Sequence, residues 1–326
     1  VSAAANLLDR KLVFVVGKGG VGKSTVATAL ALAAVRKKKR VLLVGLDLAD
    51  RSRALAGLRG AEGAEPVEAL PGLFRLNVEG KTALEEYLHL IVPVRRVLRA
   101  VFESKVYQYF VAAAPGLKEL MAIGKIWYEV DRGRWDQVIV DSPATGHALQ
   151  YLRMPKAAYE AFSTGLVHRE AKRVWNLLTD STVTAVSVVT VAEELPVNET
   201  IAICQQVRDD LVLPPGVLFV NRFHTGGFSP AELEKASKSW RRGLGESSDA
   251  LVKAVLGAAQ EETSWSAVNE HHREKLATET GWRLVVLPFL FREEFGFADV
   301  ELLSDMLAEA LQPRARVRRA NVAGPT

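Results

Sequence analysis

The chain has 326 residues, 48% hydrophobic and 25% charged, with a net charge of +4. That composition is ordinary for a soluble globular protein, and the length allows one large α/β domain or two average ones. The mild positive charge is concentrated in Lys37–Arg40 and in the arginines after Pro313, which gives no strong nucleic-acid signal. The one cysteine, Cys204, excludes an intramolecular disulfide and a cysteine-cluster metal site within one chain. No N-terminal stretch has signal-peptide organisation and no long apolar run is free of charge. The expectation is a cytoplasmic protein with no transmembrane segment.

In chain order, residues 1–10 read as a short arm. Lys11 to Val16 is a β-branched apolar run, hence a buried strand, and Thr25 to Val35 is an alanine- and leucine-rich helix. Between them Gly17-Lys18-Gly19-Gly20-Val21-Gly22-Lys23-Ser24 fits G-x-x-x-x-G-K-[ST] in its strand-to-helix context. The glycines let successive N–H groups turn inward on an anion, and the helix that begins near Lys23 adds its dipole. Gly17 through Thr25 is therefore a nucleotide-phosphate site. Lys23 reaches the β- and γ-phosphates and Ser24 ligates Mg²⁺ in such loops. Lys18 is a second lysine beside the first glycine, at the open front of the loop, where it cannot double for Lys23.

Further along, Arg40 to Leu46 is a buried strand ending at Asp47, and Leu73 to Val78 is a weaker strand candidate. Residues 81–130 read as helical, and Val94, Val97, Leu98, Val101, Phe102, Val106, Tyr109 and Phe110 form one bulky stripe. That stripe suits the core or a groove for a helical partner. Trp135 to Val140 is a strand ending at Asp141, followed by helices over 147–180 and a strand from Thr184 to Val191. A helix over 197–212 stops before Pro214-Pro215, and a strand from Gly216 to Val220 ends at Asn221. A polar helical region spans 229–280, Arg283 to Leu287 is a last strand ending at Pro288, and a helix over 298–311 precedes a basic tail from Pro313 that is expected to be disordered. Strands alternating with helices predict an α/β fold, a mostly parallel sheet flanked by helices with a small helical subdomain. Ligands bind beyond the C-terminal strand ends of such sheets, where Gly17, Asp47, Asp141, Asn221 and Pro288 all fall.

Two carboxylates there carry chemistry. Asp141 ends VIVD beside a P-loop, the arrangement that holds Mg²⁺, with a helix N-cap as the plainer role. Pro143 and Gly146 make Ser142 to His147 a shaped loop able to sense the γ-phosphate. Asp47 can position and polarise the attacking water, although it or Asp50 could merely cap a helix. Asn221 has an amide that suits an adenine edge, and Asn is also a common turn residue.

The form GKGGVGKST resembles the deviant P-loop class of dimeric ATPases, in which the early lysine acts across the dimer. With DSPATGHALQYLRMP at 141–155, the sequence is similar to the ArsA-type anion-pump ATPases, a family that includes the targeting factor for tail-anchored membrane proteins. Pro115 to Leu120, Glu193 to Thr200, Phe219 to Arg222 and Leu287 to Gly296 resemble further segments of that family, so the likeness runs over about residues 11–311. The resemblance implies one ATPase domain over residues 1–312, with a helical subdomain from about 81–130 and 150–182. It implies a nucleotide-gated dimer with ATP at its interface, which opens and closes as ATP is hydrolysed to ADP. It further implies that Lys18 acts across the dimer, that Asp47 activates water, and that Ser24, Asp47 and Asp141 attend to Mg²⁺. Asn221, Arg222, Pro288, Phe289 and Leu290 would hold adenine.

The departures are specific. The first switch reads Asp47-Leu48-Ala49-Asp50 where the family has D-P-A-H, and Lys118 replaces an acidic residue. The family's paired cysteines and its long methionine-rich insertion have no counterpart. The leading expectation is a homodimer, or a heterodimer with a paralogue, whose nucleotide state controls an unidentified protein partner or client. A ParA- or MinD-like positioning ATPase on DNA or membrane is the alternative, and a poorly hydrolysing nucleotide-binding scaffold in a heterodimer is another.

Overall fold

The computed structural model describes residues 6–47, 65–91, 102–105, 116–226, 229–244 and 249–312. The stripe over 94–110 and the basic tail lie almost wholly outside these residues. Eight strands form one sheet: β1 (Leu12–Val16), β2 (Val41–Leu46), β3 (Val67–Leu70), β4 (Leu73–Val78), β5 (Gln137–Asp141), β6 (Thr184–Val191), β7 (Pro215–Phe223) and β8 (Arg283–Pro288). Their order is β3-β4-β2-β5-β1-β6-β7-β8. Every pairing is parallel except β3 with β4, a short antiparallel edge hairpin turned at Gly72 that the periodicity did not reveal. Val67 and Glu68 are exposed, so β3 carries none of the apolar alternation that betrays a buried strand.

The strands divide their side chains between two cores. In β1, Leu12, Phe14 and Val16 join one cluster and Val13 and Val15 the other, as the two-residue period of a strand requires. One face is covered by α1 (Lys23–Arg36) and, at the end of the chain, α9 (Phe297–Ala310). The helices between them are α2 (Gly80–Ile91), α3 (Leu117–Asp131), α4 (Thr145–Ala161), α5 (Gly165–Thr179), α6 (Glu194–Gln205), α7 (Pro230–Leu244) and α8 (Asp249–Thr280). Side chains of α3, α4, α5, α6 and α8 fill the core of the opposite face. The expected helical residues over 147–180 form two helices parted at 162–164, and the expected helical region over 229–280 also holds two. None of the described helices is long and apolar enough to cross a membrane.

The described part of the arm is packed down: Leu7 and Leu8 are buried, and Gln137 donates to the carbonyls of Leu7 and Arg10 at 3.1 and 2.9 Å. One expectation needs correction. Strand β7 does not end at Asn221 but continues to Phe223, which pairs with Pro288 after a shift of register beyond Val220. Cys204 lies buried on α6, where burial pushes its thiol up to about 12. A thiol reagent near neutral pH is expected to leave it unmodified in the native protein and to titrate one group per chain after denaturation.

Candidate functional site

Strand order assembles the site. β2, β5 and β1 are adjacent, with Gly45 opposite Asp141 and Asp141 opposite Val15. The residues that leave these three strands are Asp47, Asp141 and the loop from Gly17, so two carboxylates and a phosphate cradle share one edge. Gly17 has φ +148°, and a Cβ there would collide with the carbonyl oxygen of Val189 on β6. Gly22 has φ +95°, and a Cβ there would strike the amide nitrogen of Asn221. Only glycine fits either place. Gly20 also has positive φ, and the loop opens directly into α1 with Gly22 as its N-cap. Val26 N–H already bonds the Gly22 carbonyl at 3.0 Å, which leaves the first amides of α1 free to face an anion.

Lys23 is buried and its ammonium donates to the Lys18 carbonyl at 2.9 Å, across the loop it closes. Burial lowers its pKa, with Asp141 pulling the other way. Asp141 is 4% exposed; burial lifts its pKa to about 6, against the Ser24 hydroxyl that donates to it and the charges of Lys23 and Arg75. Its Oδ1 is buried without a hydrogen-bond partner. An unpartnered, buried carboxylate oxygen beside a serine hydroxyl is an oxygen-ligand pair suited to a hard divalent cation, so the residues fit Mg²⁺. Among the candidate metal residues, Ser24 and Asp141 are brought together.

Asp47 is placed differently. It leaves β2 in the left-handed region at φ +48°, its N–H bonds the Val78 carbonyl at 3.0 Å, and its carboxylate accepts from the Tyr151 hydroxyl on α4. Partial desolvation and then Glu79 raise its pKa, with Glu119 adding to them and the Gly80 amide and Lys118 opposing. The segment that begins at Gly116 thus packs over this strand end. Gly80 leaves no room for a Cβ against the Lys118 backbone, and Gly116 leaves none against Met154.

Lys18 is paired with Glu199 of α6 at 2.6 Å, both side chains partly exposed at 35% and 47%. Glu199 also lines a cavity of about 610 Å³ between α4 and α6, with Gly146, Gln150 and Arg153 on its other wall. Asn221 is 4% exposed and donates to the Val21 carbonyl at 2.9 Å, so it braces the P-loop from β7. Arg222 is exposed at φ +53°, and Leu290 packs against the α1–α9 core. The Phe289 ring stacks on His224 at 4.8 Å and 14°, while His224 meets Glu262 at 2.6 Å. Sequence reasoning missed Tyr151, Glu199, His224 and Glu262. A buried-face tyrosine in a helix looks like core, and pairs up to 181 residues apart leave no local pattern.

The fold and this edge define a P-loop nucleotide-binding protein. The model of the anion-transporting ATPases matches residues 10–170. ATPase BagA of Mycobacterium tuberculosis is 31% identical over 247 residues, covering 70% of this chain and 69% of that protein. ATPase get3 of Schizosaccharomyces japonicus is 30% identical over 169 residues, 50% of this chain and 51% of that one. ATPase GET3 of Mycosarcoma maydis is 26% identical over 161 residues, with 48% and 47% covered. The chain belongs to the ArsA-type ATPase family.

Proposed function

We propose that this ATP hydrolase is Mg²⁺-dependent, works as a dimer with ATP at the interface, and uses its nucleotide state to control a protein partner or client in the cytoplasm. The observation that carries the reading is the shared edge: Asp141 Oδ1 unpartnered beside Ser24, under a glycine loop that Asn221 and Val189 hold in shape. In it, the amides of Gly19 to Thr25 and the ammonium of Lys23 bind the β- and γ-phosphates. Ser24 and Asp141 would hold Mg²⁺, with Asp47 on the neighbouring strand end as the third candidate. When bound, the cation neutralises charge that develops on the phosphates. Asp47 orients the attacking water and takes up its proton. Asn221, Arg222, Pro288, Phe289 and Leu290 border the adenine, Asn221 through the amide capacity left after Val21.

Lys18 supports the dimer. It stands on the outer side of the loop, with its ammonium 2.6 Å from Glu199, and Lys23 already fills the inner position. A lysine so placed reaches a phosphate that approaches from outside, as a second subunit would bring it. The domain runs over residues 1–312, and α2 to α5 are its partner-responsive helices. The test is ATP turnover with light scattering on the wild type, on Lys18→Ala and on mixtures of the two. ATP and Mg²⁺ are expected to produce dimers. Lys18→Ala alone is expected to lose about 10³-fold in kcat, the scale of a missing charge supplied in trans. Mixed dimers are expected to keep turnover at one site, so activity follows the wild-type fraction linearly rather than as the square of that fraction. A monomer with full turnover, or a Lys18→Ala protein as active as wild type, overturns the dimer reading.

A further inference from the structure

We propose that Tyr151 is a positioning residue that tethers Asp47 to helix α4, so that the water-orienting carboxylate moves with the loop that follows Asp141. The inference rests on the reading of Asp47 given above.

Among the described residues, the Asp47 side chain has one further hydrogen-bond donor, the Gly80 amide. Asp47 lies at the end of β2 with the residue largely exposed and its backbone in the left-handed region, which costs about 1 kcal/mol or more outside glycine. Glu79 and Glu119 face the carboxylate and repel it, while Lys118 and the Gly80 amide attract it. The side-chain donor that reaches it is the Tyr151 hydroxyl. Unlike Asp47, Tyr151 is rigid. It is 4% exposed, and its ring belongs to the core cluster with Phe14, Val140 and Leu152. Rotating the ring away would empty that core position and strand a buried hydroxyl.

The tether joins the end of β2 to the helix that follows the Asp141 loop. α4 starts at Thr145, directly after the loop Ser142 to Ala144 that leaves Asp141, and Ala144 lies against Gly19 of the P-loop. A shift of that loop is carried through α4 to the phenol and from there to Asp47. Such a link gives one geometry to the cation-binding strand end and the water-orienting strand end, which the sheet also joins through β2 and β5. Glycine at 116 and methionine at 154, one turn beyond Tyr151, lock the same stretch of α4 against the start of α3.

Tyr151→Phe keeps the ring and removes the tether. The protein is expected to melt as wild type and to bind a fluorescent ATP analogue with unchanged affinity, while kcat falls about ten- to a hundredfold, as for a reacting group misplaced by about 1 Å. A loss confined to kcat, with KM and nucleotide affinity kept, separates positioning from a structural defect. Tyr151→Leu, which shrinks the ring as well, is expected to lower stability without a larger loss of kcat. Wild-type kcat in Tyr151→Phe, beside an inactive Asp47→Asn, overturns the tether alone. Full turnover in Asp47→Asn overturns the role of Asp47 and the tether with it. Loss of nucleotide affinity in Tyr151→Phe also overturns it, since the hydroxyl would then serve the binding site as a whole.

Discussion

Asp141→Asn is expected to end Mg²⁺-dependent turnover and, at the same time, to make the nucleotide-free protein more stable above pH 6. The two effects have one cause. Burial raises the Asp141 pKa from 3.8 to about 6, more than Ser24, Lys23 and Arg75 together pull it down. A group whose folded pKa is raised favours the folded state only while protonated. Its contribution is whole below about 3.8 and is lost as the pH climbs through about 6. At neutral pH and above, the folded chain carries an ionised carboxylate in a buried site, at a cost of about 1–3 kcal/mol. Asparagine has the same shape and no charge, so it escapes that cost and also gives up one anionic oxygen for the cation. Thermal melts without Mg²⁺ or nucleotide, compared near pH 5 and near pH 8, check the first effect, and phosphate release checks the second. An advantage of the mutant that does not grow with pH would refute the electrostatic origin. A mutant that still turns over with Mg²⁺ would refute the cation site.

Lys23→Ala is expected to lose about 10²–10³-fold in kcat, the scale on which a preorganised donor to developing charge acts. Nucleotide affinity should fall with it, because the ammonium also meets the phosphates in the ground state. The fold is expected to survive. Lys23 makes one hydrogen bond, to the Lys18 carbonyl at the loop itself, and its burial already works against its charge. Isothermal titration with ATP and a steady-state phosphate assay measure the two losses. If affinity is kept while kcat falls, Lys23 serves the transition state alone; unchanged kcat would remove it from the phosphate site.

The parallel sheet, the P-loop and the two acidic strand ends were legible because each is written locally. β-branched runs end in Gly17, Asp47 and Asp141, and a helix with no breaker follows the lysine. β3 was not legible, since an exposed antiparallel edge strand buries no face and shows no alternation. Neither was the extension of β7 past Asn221, where register with β8 rather than composition sets the end. Asn221 was marked for its amide chemistry, but the bond to Val21 arises between strand and loop 200 residues apart.

What the sequence by itself determined is the set of groups at one sheet edge: a glycine loop with its lysine and serine, and carboxylates at two strand ends. Those follow from residue type and short spacing, because a strand, a turn and a helix are each local decisions. What only the tertiary structure decided is how these groups are held. β5 between β2 and β1 sets the two carboxylates at one sheet edge, Glu199 pairs with Lys18, Asn221 braces the loop, and Tyr151 reaches Asp47 from α4. Those partners are set by strand order and helix packing across more than a hundred residues of chain, and no local pattern encodes such a distance.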